Sequence, residues 1–531
     1  MELVFRGAQV ADGTGDPLFR ADVGVREGRI AAVADPGSLT GGRTVDATDL
    51  VLAPGFIDMH SHSDIQVLAH PEHLAKVSQG VTTEVLGQDG LSYAPVDDET
   101  LAALRGQLAG WNDDPPGFDW NWRSVGEYLD RLDRGIAVNA AYLVPQGTVR
   151  MLAVGWADRP ATESELDTMR ELVATGLAEG AIGMSSGLTY TPGMYADTEE
   201  LVALCEVVGA HGGYYSPHHR SYGAGALEAF AEMVDVSRRS KCPLHLAHAT
   251  MNFSVNKGKA PELLTLLDEA LADGCDISLD TYPYLPGATY LSALLPSWST
   301  EGGPDATLAR LSDVDTRERI RREIEETGSD GAHGVPIDWA SIEINGVRRA
   351  EHDHLVGRSV AESARAAGRP PAELYFDVLI AERLGTSCLM HVGHEENVQT
   401  IMRHVTHTGG SDGLLVGAKP HPRAWGTFPR YLARYVRELG VLELAECVAH
   451  LTGRAARRLR LTDRGLVREG YAADLVLFDP NEVRDTATFD NPRQPAAGIP
   501  YVFVNGVATI DDGRPTGAVA GRSLRNPGRT R

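Results

Sequence analysis

The middle of the chain alternates short apolar runs with longer segments whose apolar positions recur every three or four residues. The short runs are typical of buried parallel strands, and longer segments such as SELDTMRELVATGLAEG are typical of amphipathic helices. Eight of these runs predict the strands of a (β/α)8 TIM barrel: GFIDMH, VTTEVLG, AVNAAYLV, AIGMSS, GYYSPH, PLHLAH, CDISLDTY and VTHTGGSD. In such a barrel, the chemistry is expected at the carboxyl ends of the strands.

Both ends of the chain follow another pattern, in which apolar and polar residues alternate between glycine-rich turns. LVFRGAQVA near the start and YVFVNGVATIDDG near the end are examples, and this alternation is typical of half-buried antiparallel strands. Neither end is long enough to fold well alone. We therefore predict that residues 1–54 and 451–531 pair into one small β-sandwich, and that residues 55–450 form the barrel.

Two intervals between the predicted barrel strands are longer than a simple crossover requires. The first runs from Leu101 to Arg134 after strand two, and the second runs from Asp280 to Asp412 after strand seven. The second interval predicts an inserted subdomain between strands seven and eight, at about residues 286–350.

Composition and charge narrow the possible partners. The 531 residues carry 49 Lys and Arg against 73 Asp and Glu, a net charge of −24 that argues against nucleic acid or an anionic membrane as a partner. The five cysteines form no CxxC pair, and neither a signal peptide nor a long apolar span is evident. We expect a reduced, cytoplasmic protein that acts on a small molecule; its oligomeric state is open.

The first barrel strand ends in FIDMHSHSD, where an apolar run meets His60 and His62. Side chains alternate across a strand, so both imidazoles point to the same side, which is the interior of the barrel. Two imidazoles there can bind a divalent metal ion such as Zn²⁺. For an isolated HxH pair, however, two hydrogen-bonded core histidines would be the simpler interpretation.

Other predicted strands also end in residues that bind metals, and this changes the balance. They are Asp89 after strand two, His218 and His219 after strand five, His245 and His248 on strand six, Asp280 on strand seven and Asp412 after strand eight. A buried carboxylate without a partner is costly, and a bound metal ion supplies the compensating charge. This convergence favours a metal site over core packing.

The motifs that carry these residues resemble those of the D-aminoacylase (N-acyl-D-amino-acid deacylase) family of the amidohydrolase superfamily. They include APGFIDMHSHSD, GAIGMSSGLTYTPG, YYSPHHRSYG, LHLAHA, GSDG, KPHPRAWGTFPRYL and REGYAADLVLFDP, in the order of the family and across most of the chain. The resemblance implies a metal-bearing (β/α)8 barrel with a β-sandwich built from both termini. It also implies Zn²⁺ as cofactor, as one or two ions, with Mn²⁺, Co²⁺ or Fe²⁺ as alternatives.

The resemblance further implies roles for individual residues. The implied metal-binding histidines and catalytic aspartate are His60, His62, His218, His248 and Asp412. Substrate-contacting positions of similar enzymes correspond to Tyr190, Tyr282 and Arg423, where a guanidinium suits a substrate carboxylate. For the two tyrosines, core packing is an equal alternative.

The sequence departs from the family at two positions near the expected site. Related enzymes usually read GNCG where this chain reads Gly87-Gln-Asp-Gly90, so the metal-binding cysteine is replaced by Asp89. We expect Asp89 to bind the metal, but a harder oxygen donor weakens the preference for Zn²⁺ over Mn²⁺, Fe²⁺ or Co²⁺. A lysine that helps hold the substrate carboxylate in many relatives is replaced by Thr250.

The expected reaction is metal-dependent hydrolysis of the amide bond of N-acyl-D-amino acids, with Asp412 as proton acceptor and a free D-amino acid as product. The apolar stretch LPGATYLSALLPSW favours apolar substrate side chains, although it could equally be ordinary core of the insert. The alternatives are a dipeptidase acting on C-terminal D-residues, a cyclic-amide hydrolase of the hydantoinase or dihydroorotase kind, and a catalytically inactive scaffold. The cyclic-amide hydrolases generally use a modified lysine, and none of the five lysines here ends a predicted barrel strand.

Overall fold

A computed structural model of the protein describes residues 1–526, which form 21 strands and 18 α-helices. The strands are β1 (Leu3–Val10), β2 (Phe19–Arg26), β3 (Arg29–Ala34), β4 (Arg43–Asp46), β5 (Val51–Pro54), β6 (Phe56–Asp58), β7 (Val81–Leu86), β8 (Asn139–Pro145), β9 (Gly183–Gly187), β10 (Tyr214–His218), β11 (Leu244–Leu246), β12 (Ile277–Thr281), β13 (Gly287–Tyr290), β14 (Ile342–Gly346), β15 (Arg358–Ser359), β16 (Ser387–Met390), β17 (His407–Gly409), β18 (Leu475–Phe478), β19 (Tyr501–Val504), β20 (Val507–Asp511) and β21 (Arg514–Pro515).

The α-helices are α1 (Gln66–Ala69), α2 (Leu74–Val77), α3 (Asp98–Gln107), α4 (Ala109–Asn112), α5 (Val125–Leu132), α6 (Gln146–Ala153), α7 (Glu163–Ala178), α8 (Thr198–Ala210), α9 (Ala226–Ser240), α10 (Ala260–Ala272), α11 (Pro304–Leu311), α12 (Val314–Arg322), α13 (Val360–Ala367), α14 (Pro371–Ala381), α15 (Glu395–Met402), α16 (Arg423–Arg430), α17 (Leu444–Leu451) and α18 (Gly453–Arg458). Local sequence sets several of their starts. At α7, for example, Thr162 and Glu165 form a capping box that satisfies free backbone N–H groups.

Eight parallel strands form the predicted barrel, in the order β6-β7-β8-β9-β10-β11-β12-β17. The barrel closes where β17 meets β6, because the Met59 N–H donates to the Gly409 carbonyl at 3.1 Å and Ser61 pairs in parallel with Gly413. All eight strands coincide with the runs picked from the sequence, so the barrel prediction is confirmed. Closure also brings the residues that follow β6 and β17, including the HxH motif and Asp412, side by side.

The two ends of the chain meet in one nine-stranded sheet. Its order is β21-β20-β19-β18-β5-β1-β2-β3, with β4 paired to β1, so strands from the start and the end of the chain are neighbours. The ring centroids of Phe5 on β1 and Phe503 on β19 lie 5.1 Å apart, although two strands separate β1 from β19 in the sheet. This contact requires the sheet to curl around its own apolar core. This confirms that both termini build the small β-domain.

An insertion separates the seventh and eighth barrel strands, as the long interval predicts. It contains a four-stranded sheet in the order β13-β16-β14-β15, together with helices α11 to α14 around a separate apolar core. This sheet extends from Gly287 to Met390. The exact domain boundaries given above stay predictions.

Within residues 1–526, no helix combines the length and the apolar character needed to cross a membrane.

Candidate metal and catalytic site

A cavity of about 70 Å³ lies at the carboxyl ends of the barrel strands, between the barrel and the insertion. Side chains from both parts line it. Those from the barrel and its loops include His62, Asp89, Trp111, Thr189, Tyr190, His218, Tyr222, His248, Tyr282 and Asp412. Five of the six predicted metal-binding and catalytic residues therefore face one cavity, and the sixth, His60, lies against them.

Asp89 occupies the centre of this cluster. Its Oδ1 lies 3.4 Å from Nε2 of His60 and 3.4 Å from Nε2 of His248, and its Oδ2 lies 3.5 Å from Nε2 of His62 and 3.4 Å from Nδ1 of His218. One carboxylate thus faces four imidazoles that come from three different barrel strands. The geometry brings together the residues that the sequence predicted.

The donor atoms form two groups that could each hold a metal ion. One group comprises His60, His62, Asp89 and Asp412, and the other comprises Asp89, His218 and His248; within each, the donor atoms lie within 4.8 Å of one another. Asp89 belongs to both groups, and its buried Oδ1 has no hydrogen-bond partner within residues 1–526. Imidazole nitrogens and carboxylate oxygens around an orphaned acceptor fit a divalent cation.

Neighbouring hydroxyl groups orient two of the histidines. The Thr189 hydroxyl lies 2.6 Å from Nε2 of His218, and the Tyr222 hydroxyl lies 2.9 Å from Nδ1 of His248. Each hydroxyl binds the ring nitrogen that faces away from Asp89. Such contacts fix the orientation of the ring and leave the other nitrogen for a metal.

Asp280 supports the cluster from below instead of joining it. Its carboxylate accepts the backbone N–H of His248 at 3.1 Å and lies 3.0 Å from Nε2 of His245. Its Oδ2 also lies 3.9 Å from Nδ1 of His60. Asp280 therefore positions His248 through its backbone, and His245 belongs to this support.

Asp412 lies beside the HxH motif, as expected for a proton acceptor. Its Oδ1 is 3.2 Å from Nε2 of His62, and its Oδ2 is 2.9 Å from Nη2 of Arg423. Burial alone would raise the pKa of the Asp412 carboxyl, but the charge of Arg423 and the contacts with the histidines lower it far below its usual value. The group is therefore a carboxylate at neutral pH.

The titration behaviour of the other groups follows from burial and from the two carboxylates. Burial lowers the pKa of His60 to about 4, despite the attraction of Asp89. For His62, burial also lowers the pKa, but the hydrogen bonds with Asp412 and Asp89 outweigh it and raise the pKa to about 9. Burial would raise the pKa of Asp89, yet the surrounding imidazoles hold it well below its usual value.

Three residues of the site have a left-handed backbone conformation, which residues other than glycine rarely adopt. The φ angles are +53° for Asp89, +31° for His248 and +48° for Asp412. Each residue lies two or three positions beyond the end of a barrel strand, where the turn re-aims its side chain across the mouth of the barrel. Such backbone strain persists where the surrounding structure enforces it, and it concentrates at functional sites.

The three predicted substrate-binding residues lie near the cluster in different settings. Tyr190 and Tyr282 line the cavity, and the Tyr190 hydroxyl pairs with Thr289 of the insertion at 3.0 Å. Arg423 is fully buried behind the cavity wall, where it stacks over Tyr282 at 4.4 Å and pairs with Asp412. Its role in binding a substrate carboxylate stays a prediction, as do the roles of the two tyrosines.

Sequence reasoning missed a buried charge network beneath the metal cluster. Nζ of Lys76 lies 2.5 Å from Oδ2 of Asp58 and 2.9 Å from Oγ of Ser411, with no exposure to solvent. Oδ1 of Asp58 in turn accepts the backbone N–H groups of His60 and Ser411, at 3.2 and 2.8 Å. The scarcity of lysines in this chain was the only hint that pointed to Lys76. The four residues of α2 are too few to show a periodic pattern that would predict its burial.

The apolar part of the cavity wall was also largely unforeseen. Trp111, from the long interval after strand two, packs its ring 4.7 Å from that of His62. The insertion and the barrel loops add further apolar lining, namely Phe253, Ala288, Ala293, Leu294, Met390, Val392 and Leu414. Only the stretch LPGATYLSALLPSW, which supplies Ala288, Ala293 and Leu294, was indicated by the sequence.

Comparison with known proteins places this site in a family. The model of the amidohydrolase family matches residues 43–510. This chain belongs to the amidohydrolase family. A D-aminoacylase from Alcaligenes xylosoxydans xylosoxydans is 35% identical to it over 98% of this chain and 97% of the relative, which confirms the resemblance found in the motifs.

Two solved structures of amidohydrolases have the same architecture along their whole length. One, from work on the binuclear metal centre in D-aminoacylase, has a TM-score of 0.84 at 34% identity, with 99% of each chain covered. The other is an N-acyl-D-glutamate deacylase from Bordetella bronchiseptica, complexed with zinc and a phosphonate inhibitor that mimics the tetrahedral intermediate. Its TM-score is 0.85 at 30% identity, again with 99% of each chain covered.

Proposed function

We propose that this protein hydrolyses the amide bond of N-acyl-D-amino acids with apolar side chains, in a metal-dependent reaction. The observation that carries the proposal is the cluster at the barrel mouth, where Asp89 faces four histidines and Asp412 stands beside them as a carboxylate. Relatives along the whole chain include a D-aminoacylase and an N-acyl-D-glutamate deacylase. The preference for the D-configuration rests on these relatives.

The two donor groups would hold one or two divalent ions, with Zn²⁺ as the first candidate. Asp89, His218 and His248 would bind one ion, and His60 and His62 would complete a second position that shares Asp89. When bound, such an ion lowers the pKa of water and supplies positive charge that stabilises a developing oxyanion. Because Asp89 gives oxygen donors where a thiolate is usual, we also propose that Mn²⁺, Co²⁺ or Fe²⁺ can substitute.

The residues of the chain divide the remaining work. Oδ1 of Asp412 accepts a proton from the attacking water and returns it to the leaving amine, which departs as a free D-amino acid while the acyl group leaves as a carboxylate. Arg423 keeps Asp412 ionised and fixes its orientation, and Tyr282 lies between Arg423 and the cavity. The insertion covers the cavity and limits access of bulk water.

The cavity wall supports the preference for apolar side chains. Phe253, Leu294, Met390 and Val392 line the side of the cavity formed with the insertion. Among residues 1–526, neither a lysine nor an arginine lines this cavity, so a second carboxylate on the substrate would find no ammonium or guanidinium partner in it. N-acyl-D-glutamate and N-acyl-D-aspartate are therefore expected to be poor substrates.

A panel of N-acetyl amino acids tests the proposal directly. Protein treated with a chelator and reloaded with Zn²⁺, Mn²⁺ or Co²⁺ should hydrolyse N-acetyl-D-leucine and N-acetyl-D-methionine much faster than their L-enantiomers or N-acetyl-D-glutamate. Dipeptides with a C-terminal D-residue and a hydantoin belong in the same panel. Faster turnover of either would favour the dipeptidase or the cyclic-amide hydrolase, and activity confined to L-substrates would refute the stereochemical assignment.

The variant Asp412→Asn tests the role of the base. It keeps the size of the side chain, so the ion at Asp89, His218 and His248 should stay bound, while kcat falls by about 10²–10⁴-fold because the proton acceptor is lost. Metal content measured by elemental analysis and kcat measured on the same sample separate the two effects. Unchanged turnover with full metal content would eliminate Asp412 as the base.

A further inference from the structure

A second cavity, of about 150 Å³, lies beside the catalytic cavity and shares wall residues with it. Thr189 and Ala293 line both cavities, and the ring of Tyr290 in the second cavity lies 5.2 Å from the ring of Tyr190 in the first. The rest of the wall is mixed. Its apolar part is formed by Trp156, Met194, Leu295, Pro304, Leu308 and Leu384, and its polar part includes Gln107, Thr191, Ser292, Thr300 and Thr307. The two cavities are thus separated only by a thin partition.

The orientation expected for the substrate points one of its ends at this partition. Asp412 returns a proton to the amine, so the amino-acid half of the substrate lies near Asp412 and Tyr282. The acyl half then extends to the opposite side of the cluster, where the Thr189 hydroxyl contacts His218. An acyl chain longer than acetyl would therefore reach the partition at Thr189 and Ala293, and side chains there have to move aside for the chain to enter the second cavity.

The apolar side of the second cavity suits an aliphatic chain, while the buried Oε1 of Gln107 on its wall has no hydrogen-bond partner within residues 1–526. The hydroxyls of Thr300 and Thr307 donate to backbone carbonyl groups nearby, so they do not require a polar ligand. Within residues 1–526, the charged residues of its wall are Arg348 and Arg383, and both are exposed to solvent at the rim. An apolar cavity of this size holds a molecule of about six carbon atoms, as a 150 Å³ engineered cavity holds benzene.

We propose that this second cavity binds the distal part of a linear, medium-chain acyl group on the substrate. The inference rests on the proposed function, because it takes the amide to lie at the metal cluster. It predicts that N-octanoyl-D-leucine is a better substrate than N-acetyl-D-leucine. Each methylene buried should raise kcat/KM by up to about fourfold, mainly through a lower KM, until the cavity is filled at about eight to ten acyl carbons.

Gly106 offers a way to fill the second cavity without disturbing the fold. It lies in α3 at the solvent-exposed mouth of the cavity, its backbone φ is not positive, and a Cβ added there would meet no heavy atom within 4 Å. In Gly106→Trp the indole should occupy the space of the acyl chain, so kcat/KM for N-octanoyl-D-leucine should fall to the value for N-acetyl-D-leucine. The matched control Gly106→Ala adds only a methyl group and should keep the preference for the longer chain.

The outcomes separate this inference from the proposed function. If N-acetyl-D-leucine is hydrolysed but the rate does not depend on acyl length, or if Gly106→Trp keeps the full gain, the acyl site is refuted and the proposed function stands. If no N-acyl-D-amino acid is hydrolysed, the proposed function fails. Calorimetric titration with octanoate and with acetate is then decisive: tighter binding of octanoate that is lost in Gly106→Trp supports the cavity as an alkyl site, and equal binding of both acids overturns it.

Discussion

The buried pair of Lys76 and Asp58 provides a stringent test of how this barrel holds its metal cluster. At the observed separation of 2.5 Å, the attraction between the two charges is about 7 kcal/mol with an effective dielectric constant of about 20. Desolvation of the two ions offsets part of this. Removing one partner of such a pair typically destabilises a protein by about 3–5 kcal/mol, because the other charge stays buried alone.

We therefore expect Lys76→Met, which removes the charge and shortens the side chain by one atom, to lower the free energy of unfolding by about 3–5 kcal/mol in urea denaturation at pH 7. Burial already raises the pKa of Asp58 even with the ammonium alongside, so the carboxylate form depends on Lys76. Without it, Asp58 should take up a proton on Oδ2, which makes Oδ1 a weaker acceptor for the backbone N–H groups of His60 and Ser411. His60 is a proposed metal ligand and Ser411 precedes Asp412, the proposed base, so kcat should fall by about 10–100-fold.

A double variant distinguishes loss of the pair from loss of packing. Asp58→Asn keeps an oxygen that can accept the N–H groups of His60 and Ser411 and removes the unpaired charge. Lys76→Met combined with Asp58→Asn should therefore recover most of the stability lost in Lys76→Met alone, giving a clear coupling energy. The reasoning is wrong if Lys76→Met unfolds within about 1 kcal/mol of the wild type, or if the second substitution adds its full cost to the first.

Two further predictions concern the metal preference and the response to acid. Asp89→Cys should shift binding towards Zn²⁺ relative to Mn²⁺, because a thiolate is a softer donor. The ratio of bound Zn²⁺ to bound Mn²⁺, measured by elemental analysis after competition, tests this. An unchanged ratio would contradict the prediction. His450 is buried, and burial together with the charge of Arg454 lowers its pKa to about 3, so the unfolded chain binds a proton there below pH 6.5 that the folded chain does not. The free energy of unfolding should therefore fall as the pH drops from 6.5 towards 3. In urea denaturation, His450→Asn should reduce the loss of this free energy between pH 7 and pH 5 by about 2 kcal/mol. An equal loss in both proteins would refute the assignment.

The barrel and most of the cluster could be predicted because their signals are local in the sequence. Each barrel strand is a short apolar run, and its carboxyl end carries the residue that matters, as in FIDMHSHSD or GGSD. A closed barrel brings all these ends to one rim, whatever the order of the strands in the chain. The position of Asp89, His218 and Asp412 in one cluster therefore followed once the strands were identified correctly.

The remaining parts of the site could not be predicted because they depend on packing between distant segments. Lys76 lies on a helix of four residues with no periodic pattern, and only the closure of the barrel buries it beside Asp58. Trp111 contacts His62 from the connecting segment after strand two. The sequence shows that this segment is long, but it does not show where the segment runs. For Arg423, the residue type indicated a partner for a carboxylate, yet the nearest carboxylate proved to be Asp412 of the protein itself.

The predictable donor residues and the unpredicted residues that support them reflect one physical constraint on the site. A cluster that binds a cation must gather negatively charged or uncharged donors, here Asp89 and Asp412 among four histidines. Within residues 1–526, the contacts among these donors leave Oδ1 of Asp89 without a hydrogen-bond partner. Such a cluster costs stability until an ion binds, and three of its residues add backbone strain. The surrounding network compensates for this partly with bonds to the backbone: Asp58 holds His60 and Ser411, and Asp280 holds His248. Donor positions are thus fixed before an ion arrives, which leaves the identity of that ion to the donor atoms themselves and makes Asp89 the residue on which metal selectivity should depend.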